Sequence, residues 1–290
     1  MTSKDFQLRI FNILNNWVPP ALLKYVLILA ATVRYLFYSH DKESEIKRTI
    51  ELKGLKKSNK AFIMATGPSI KQLDTALLAG ADVYSVSNFF LHDEIQNIDI
   101  TAHFFANYHE PLILAEYIAW LESADKILPK SVPLLLGYPM KEIINAHQML
   151  QERDIYYFCF EKEFTVSGLA IDRPFLSPHS SPILLLSLAI ALGYSEIYLC
   201  GCDHTNLRDY KGTVKNFYDK DKDLRSNATE QKWWNNGVKA HVQYLLLQID
   251  QYEALKKLAD QKGLRVYNLS EDSWLEVFPR PHDSPESSPL

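Results

Sequence analysis

The chain of 290 residues is 47% hydrophobic and 23% charged, enough for one large core or two smaller ones. A net charge of −4 gives no overall basic field, so nucleic acid is not an expected partner. Three cysteines, Cys159, Cys200 and Cys202, exclude a disulfide framework and read as buried free thiols in a reducing compartment.

The first residues, MTSKDFQLRIFNILNNW, do not read as a secretory signal. Residues 21–38, ALLKYVLILAATVRYLFY, form the most apolar stretch. Lys24 and Arg34 bracket only nine uncharged residues there, short of the roughly 20 that a spanning helix needs. Basic side chains and the aromatic rings of Trp17, Tyr25, Tyr35, Phe37 and Tyr38 suit a membrane–water boundary. Two readings stay open: an amphipathic helix lying in one leaflet, or a helix packed on the domain or in an oligomer interface. Residues 41–60 are strongly charged, and six lysines or arginines between Lys47 and Lys60 suit either anionic headgroups or a solvated face. Residues 1–59 are accordingly assigned to an N-terminal helical segment that associates with membrane, or packs on protein, and 60–278 to the main domain.

From residue 60 the pattern alternates. Strands are predicted at 61–65, 82–87, 102–106, 126–137 (broken by prolines), 155–160, 196–201 and 265–269. Helices are predicted at 110–123, 140–153, 181–193 and 229–263. Ser181, Pro182 and Gly193 supply start and stop signals for the third of these. The alternation predicts an α/β fold: one Rossmann-like domain, a mostly parallel twisted sheet, and helices on both faces. Residues 205–232 begin with a long polar stretch without apolar period, read as a lid-like loop. The Pro/Ser-rich tail 279–290 reads as disordered.

Ligands of open parallel sheets bind beyond the carboxyl ends of the strands. The residues in those places are Thr66, Gly67, Pro68 and Ser69 after the first strand, Asn88 after the second, Asn107 after the third, and Gly201 and Asp203 after the sixth. The Gly-Pro turn lets backbone approach a flat or hydroxylated ligand, and asparagines offer donors and acceptors to it. Ser180 and Ser181 open a helix whose free amides suit an anion. No His-Glu-x-x-His zinc pair, Cys-x-x-Cys site or Gly-x-Ser-x-Gly elbow is present. DKDKD (219–223) reads as a solvated charge run rather than a cation site. His179, His204 and His241 are the histidines to weigh, His241 first because it follows WWNNG, a hinge-like stretch.

The segments ATGPSI, SVSNFF, FFANY and above all LAIALGYSEIYLCGCD resemble, in order over residues 60–275, the bacterial sialyltransferases of the Campylobacter type. Wider relatives include flagellin-modifying motility-associated glycosyltransferases. The resemblance implies a metal-independent, inverting transferase without cofactor, moving sialic acid or a related nonulosonate from a CMP-activated donor to a cell-surface glycan or lipid-linked acceptor. The family's Asn-Gly-Pro-Ser turn falls on Thr66, Gly67, Pro68 and Ser69, so a hydroxyl replaces an amide. Its two nucleotide-sugar asparagines fall on Asn88 and Asn107, its helix-start hydroxyls on Ser180 and Ser181, and its nucleotide-side glycine on Gly201. One phosphate-contacting tyrosine falls on Thr205; the other falls within a residue of Tyr210, with Arg208 beside it. The catalytic histidine falls nearest His241; His204, which follows Asp203 at a strand end, is the second catalytic candidate from the residues themselves. The implied setting is lipopolysaccharide or capsule assembly at the cytoplasmic, inner face of a bacterial membrane, by a peripheral protein that forms homo-oligomers or acts alone. The rival expectations are a Mg-dependent pterin pyrophosphokinase and a non-catalytic glycan-assembly partner.

Overall fold

The protein is described here by a computed structural model covering residues 19–109, 112–163, 168–208, 215–225 and 236–281. Strand β1 (Lys60–Met64) shows how the sequence builds the sheet. Its side chains alternate: Ala61 and Ile63 enter one core, Phe62 and Met64 the other. A strand covered on both faces has no polar side, which is why it reads as a continuous apolar run.

Strands β2 (Asp82–Val86), β3 (Ile100–Phe104), β4 (Leu134–Gly137) and β5 (Ile155–Phe158) follow. The short β6 (Phe160–Glu161) and β7 (Phe175–Leu176) pair with each other. Strands β8 (Glu196–Cys200) and β9 (Arg265–Asn268) complete a seven-stranded sheet of order β5-β4-β3-β2-β1-β8-β9. Every pairing in it is parallel. The chain therefore moves outward from β1 to β5, then returns to the other side of β1. That reversal, between β1 and β8, is where an open parallel sheet leaves a crevice.

The helices described are α1 (Pro20–Leu36), α2 (His40–Arg48), α3 (Leu114–Ile127), α4 (Met140–Ala146), α5 (Ser181–Leu192) and α6 (Gly237–Gln261). Helices α5 and α6 cover the Ile63 face, while α3 and α4 cover the Phe62 face. Helix α5 is apolar all round, and Pro182 to Ile190 are buried without a break, as befits a helix inside a core. Each of its four buried leucines, Leu184, Leu185, Leu186 and Leu188, contributes roughly 1.5–3 kcal/mol by burial. Pro182 fits the first turn, and Gly193, at φ 71°, ends the helix in the left-handed region.

Several boundaries differ from the sequence reading. Residues 126–128 are not strand; Lys126 and Ile127 close α3, and Leu128 is its C-cap. Buried Arg153 explains the turn that follows, donating to the carbonyls of Leu128, Pro129 and Val132 and pairing with Asp125. The helix predicted over 140–153 stops at Ala146, because Gln148 and Leu150 take positive φ. The long helix begins at Gly237, and residues 226–235 lie outside the described part. Residues 41–60 are not merely a charged connector. Helix α2 and a 3-10 turn (Thr49–Leu55) bury Ile46 and Leu52, and Arg48 donates to the Ile155 carbonyl at 2.8 Å.

Candidate functional site

A cleft of about 220 Å³ opens at the β1/β8 reversal. Its floor is Thr66–Gly67–Pro68 after β1 and Gly201 to Thr205 after β8; Ser181 and Pro182 of α5 and Ser87 after β2 form its sides, and Lys215 and Asn216 border it from the loop. Backbone pairing runs beyond the strands to build that floor. Ala65 N donates to the Cys200 carbonyl at 2.8 Å and Gly67 N to the Gly201 carbonyl at 2.9 Å. The loop returns onto the same turn, with Phe217 N donating to the Thr66 carbonyl at 3.2 Å. On the other side of that returning segment, Phe217, Tyr218 and Asp219 face a second cavity of about 470 Å³.

The turn is locked from below. Asp203, 6% exposed, accepts from Ser69 N at 3.0 Å and from the Ser69 hydroxyl. Ser270 Oγ lies 2.9 Å from Ser69 Oγ and accepts from Gly201 N at 3.0 Å. Gly67 packs so closely that a Cβ there would collide with the Asp203 carboxylate and the Gly201 carbonyl. Gly201 has φ 69°, a conformation that side chains disfavour. Ser69 and Asp203 therefore meet each other: their polar atoms hold the floor.

His204 lines the cleft in a left-handed conformation, φ 53°. Its ring lies between two residues of α6, with Gln248 Oε1 3.0 Å from Nδ1 and the Tyr252 hydroxyl 3.1 Å from Nε2. Gln248 Nε2 donates to the His179 carbonyl at 3.1 Å, which fixes the amide oxygen toward the ring. Nδ1 therefore carries the proton, and Nε2 accepts from Tyr252. The Tyr252 hydroxyl also lies 3.3 Å from Ser180 Oγ. Burial, partly offset by the Gln248 bond and the Asp203 charge, brings the His204 pKa down to about 4, so the ring is neutral near pH 7.

The two asparagines do not line this cleft. Asn88 is fully buried, with Oδ1 accepting from Trp120 Nε1. The residue facing the cleft is its predecessor Ser87, at φ 54°. Buried His103 holds that turn, donating from Nε2 to the Ser87 carbonyl at 3.0 Å while Nδ1 lies 2.7 Å from Ser85 Oγ. Burial lowers the His103 pKa to about 3. The loop closes the Asn88 side: Arg225 lies 4.9 Å over the Trp120 ring and donates to Asp223 from Nε at 2.9 Å and Nη2 at 2.8 Å. The DKDKD run thus contributes one structural carboxylate. Burial pushes the Asp223 carboxyl up, but the Arg225 hydrogen bonds and charge outweigh it and leave it below its ordinary range. Asn107, half-buried at the end of β3, packs on Gly137 at the end of β4, with its Oδ1 buried and without a hydrogen-bond partner.

The remaining expected residues divide. Thr66, Gly67, Pro68, Ser181, Gly201, Asp203 and His204 come together at the cleft. Ser180 reaches its wall through Tyr252. Arg208 turns outward, donating to the Asp272 carbonyl at 3.3 Å and lying 5.9 Å over the Trp274 ring. Tyr210 lies outside the described residues. His241 is buried in the first turn of α6 and is not among the cleft-lining residues. His241, Gln248 and Tyr252 are spaced by seven and four, which puts them on one face of α6, His241 about 10 Å along the axis from Gln248. Sequence reasoning passed over Ser87, His103, Gly137, Lys215, Tyr252 and Ser270. Of these only Lys215, a cation within the suspected lid, left a signal. Among the described residues no group of three or more His, Cys, Asp or Glu is arranged to hold a metal ion.

No protein-family model matches the chain, and no curated protein matches it. Three solved structures are similar in chain path. An α-2,3-sialyltransferase of Campylobacter jejuni in apo form shares 18% identity at TM-score 0.41, over 78% of this chain and 80% of that one. The monofunctional α-2,3-sialyltransferase Cst-I of Campylobacter jejuni shares 19% at TM-score 0.44, over 81% and 84%. A tyrosine-to-phenylalanine variant of the sialyltransferase Cst-II in complex with CMP shares 18% at TM-score 0.42, over 76% and 84%.

Proposed function

We propose that this protein is a metal-independent, inverting glycosyltransferase that moves sialic acid or a related nonulosonate from a CMP-activated donor to a glycan or lipid-linked acceptor. The observation that carries the reading is the cleft at the strand-order reversal, where the Thr66–Ser69 turn meets the Gly201–Thr205 turn. The order of the motifs that resemble the sialyltransferases supports it from the sequence side.

In this reading the nucleotide rests on the Gly67 and Gly201 backbone. Its phosphate faces the start of α5 at Ser181 and the Lys215 ammonium, which stabilise the charge that grows as CMP departs. His204 holds the wall, since both its ring nitrogens are engaged. The resemblance assigns the proton of the attacking acceptor hydroxyl to His241. That residue shares a face of α6 with Gln248 and Tyr252 but lies buried outside the cleft lining, so an opening of the start of α6 is part of this reading. The described loop residues that border the cleft, Thr205, Asn206, Lys215 and Asn216, help exclude water from the donor. A pyrophosphokinase would draw on the DKDKD carboxylates, but Asp223 is committed to Arg225.

Calorimetric titration with CMP tests the donor. Binding is expected, weakened about tenfold in Lys215→Ala, on the scale of one charge-assisted contact. Absence of CMP binding defeats the donor assignment. His241→Ala is expected to abolish transfer while keeping CMP affinity; retention of transfer removes His241 from the chemistry. Donor hydrolysis that stops in EDTA refutes metal independence.

A further inference from the structure

Helix α1 carries an apolar stripe that no described residue covers. Leu22, Tyr25, Val26, Leu29, Val33 and Leu36 recur at three- and four-residue spacing and so share one face. All are exposed, Leu29 at 60%, Leu36 at 71% and Tyr25 at 72%; Phe37, at 83%, continues the stripe. The helix is not loosely placed. Leu23 and Ala31 are buried on its other side. Arg34 Nη2 pairs with buried Glu161 at 2.7 Å, Tyr38 donates to the same carboxylate at 2.8 Å, and Arg173 donates to the Tyr35 hydroxyl at 2.9 Å. The body grips one face and leaves the apolar one outward.

We propose that this stripe docks the protein on an anionic lipid bilayer, with α1 lying in the headgroup–acyl boundary. Charge complementarity selects this occupant. Residues 19–40 include exposed Lys24 and no Asp or Glu, Arg34 being paired with Glu161. Over residues 41–60 seven basic residues outnumber four acidic ones, leaving the segment net positive even with Arg48 and Lys60 in ion pairs. The helix lies along the surface rather than across it. Its 17 residues span about 25 Å, short of a hydrocarbon core of about 30 Å. The chain then bends by 104° into α2, whose Arg48 is fixed to β5.

Position gives the surface a purpose. Asp41 of α2 accepts from Tyr138, the residue after β4, and Glu161, the partner of Arg34, lies beyond the end of β5. The exit of α1 is therefore anchored at the carboxyl edge of the sheet, the edge that carries the cleft. Docking brings that edge to the bilayer, where a lipid-linked acceptor is held. This acceptor assignment rests on the transferase reading; the docking surface does not.

The test is co-sedimentation of the full chain with vesicles of phosphatidylcholine alone and with vesicles in which about a third of the lipid is anionic phosphatidylglycerol, which supplies a negative surface potential. The chain is expected to pellet with the anionic vesicles, more weakly with neutral ones, and less in high salt. Leu29→Glu combined with Val33→Glu should reduce partitioning about tenfold or more. The conservative pair Leu29→Gln with Tyr25→Ser should reduce it in the same direction, and unfolding curves check that both variants remain folded. No pelleting with either vesicle overturns the proposal. So does a concentration-dependent dimer in sedimentation velocity that the same variants dissolve while vesicles stay unbound, which assigns the stripe to a second copy. CMP titration of wild type and variants separates the two readings: vesicle binding without CMP binding keeps the surface and removes the donor, and the reverse removes the surface alone.

Discussion

Replacing Gly67 with alanine adds one methyl group to the floor of the cleft, and the structure says where it goes. The new Cβ lands well inside van der Waals contact of the Asp203 carboxylate and the Gly201 carbonyl. Neither neighbour yields easily. The Gly201 carbonyl already accepts from Gly67 N at 2.9 Å, and Asp203 is held by both Ser69 donors. If the turn lifts, the Gly67–Gly201 bond breaks, at about 1 kcal/mol; if Asp203 moves, charge-assisted bonds worth about 1.5–3 kcal/mol are lost. Overpacking alone costs about 1–3 kcal/mol, so the expected destabilisation is about 2–4 kcal/mol. Urea unfolding measures it, and CMP calorimetry reads the second consequence, a weaker or absent nucleotide site. Gly54→Ala is the matched control, because a Cβ there meets nothing within 4 Å. A change of under about 0.5 kcal/mol in Gly67→Ala, similar to Gly54→Ala, refutes the close-approach reasoning.

Three further outcomes are expected. Stability falls as pH drops from about 6.5, because unfolded histidines bind protons there while His103 and His204 stay neutral down to about 3 and 4. The slope is up to about 1.4 kcal/mol per pH unit for each histidine, and urea titrations between pH 7.5 and 4.5 should show a shallower dependence in His103→Gln than in wild type; equal slopes refute it. Gly137→Ala drives a methyl into the Asn107 amide and should destabilise by about 1–3 kcal/mol, read by the same titration; a neutral effect means that Asn107 turns away freely. Arg225→Ala leaves the Asp223 carboxylate without its partner and Trp120 without its cation, costing about 1–3 kcal/mol. It should also open Phe217 and Tyr218 to chymotrypsin, and unchanged digestion shows that the pair does not hold the returning loop.

The sheet was legible because its signal is local. Each strand is an apolar run of the right length, and being covered on both faces leaves it no polar register to confuse. Helix α5 was legible for a similar reason: Ser181-Pro182 and Gly193 mark both ends of an uninterrupted apolar segment. Boundaries failed where long-range contacts decide them. The apolar Ile127–Leu128 reads as strand beside Pro129, yet Arg153, 25 positions away from Leu128, gathers the helix-end carbonyls and makes the segment a helical terminus.

The site was legible only in part, and the division is physical. A strand end marks where a ligand pocket can lie, and Thr66, Gly67, Gly201 and His204 do meet there. It does not say which residue after the strand faces the pocket. At β2 the left-handed turn at Ser87, fixed by His103, presents Ser87 to the cleft and sends Asn88 to Trp120. Nor does local pattern reveal a clamp such as Ser69 with Asp203, 134 positions apart, or Ser270, which ties Ser69 to Gly201. Hydroxyls and carboxylates at strand ends look alike in sequence whether they greet a ligand or each other. What separates the two roles is hydrogen-bond saturation. Ser69 and Asp203 are spent on holding the turn.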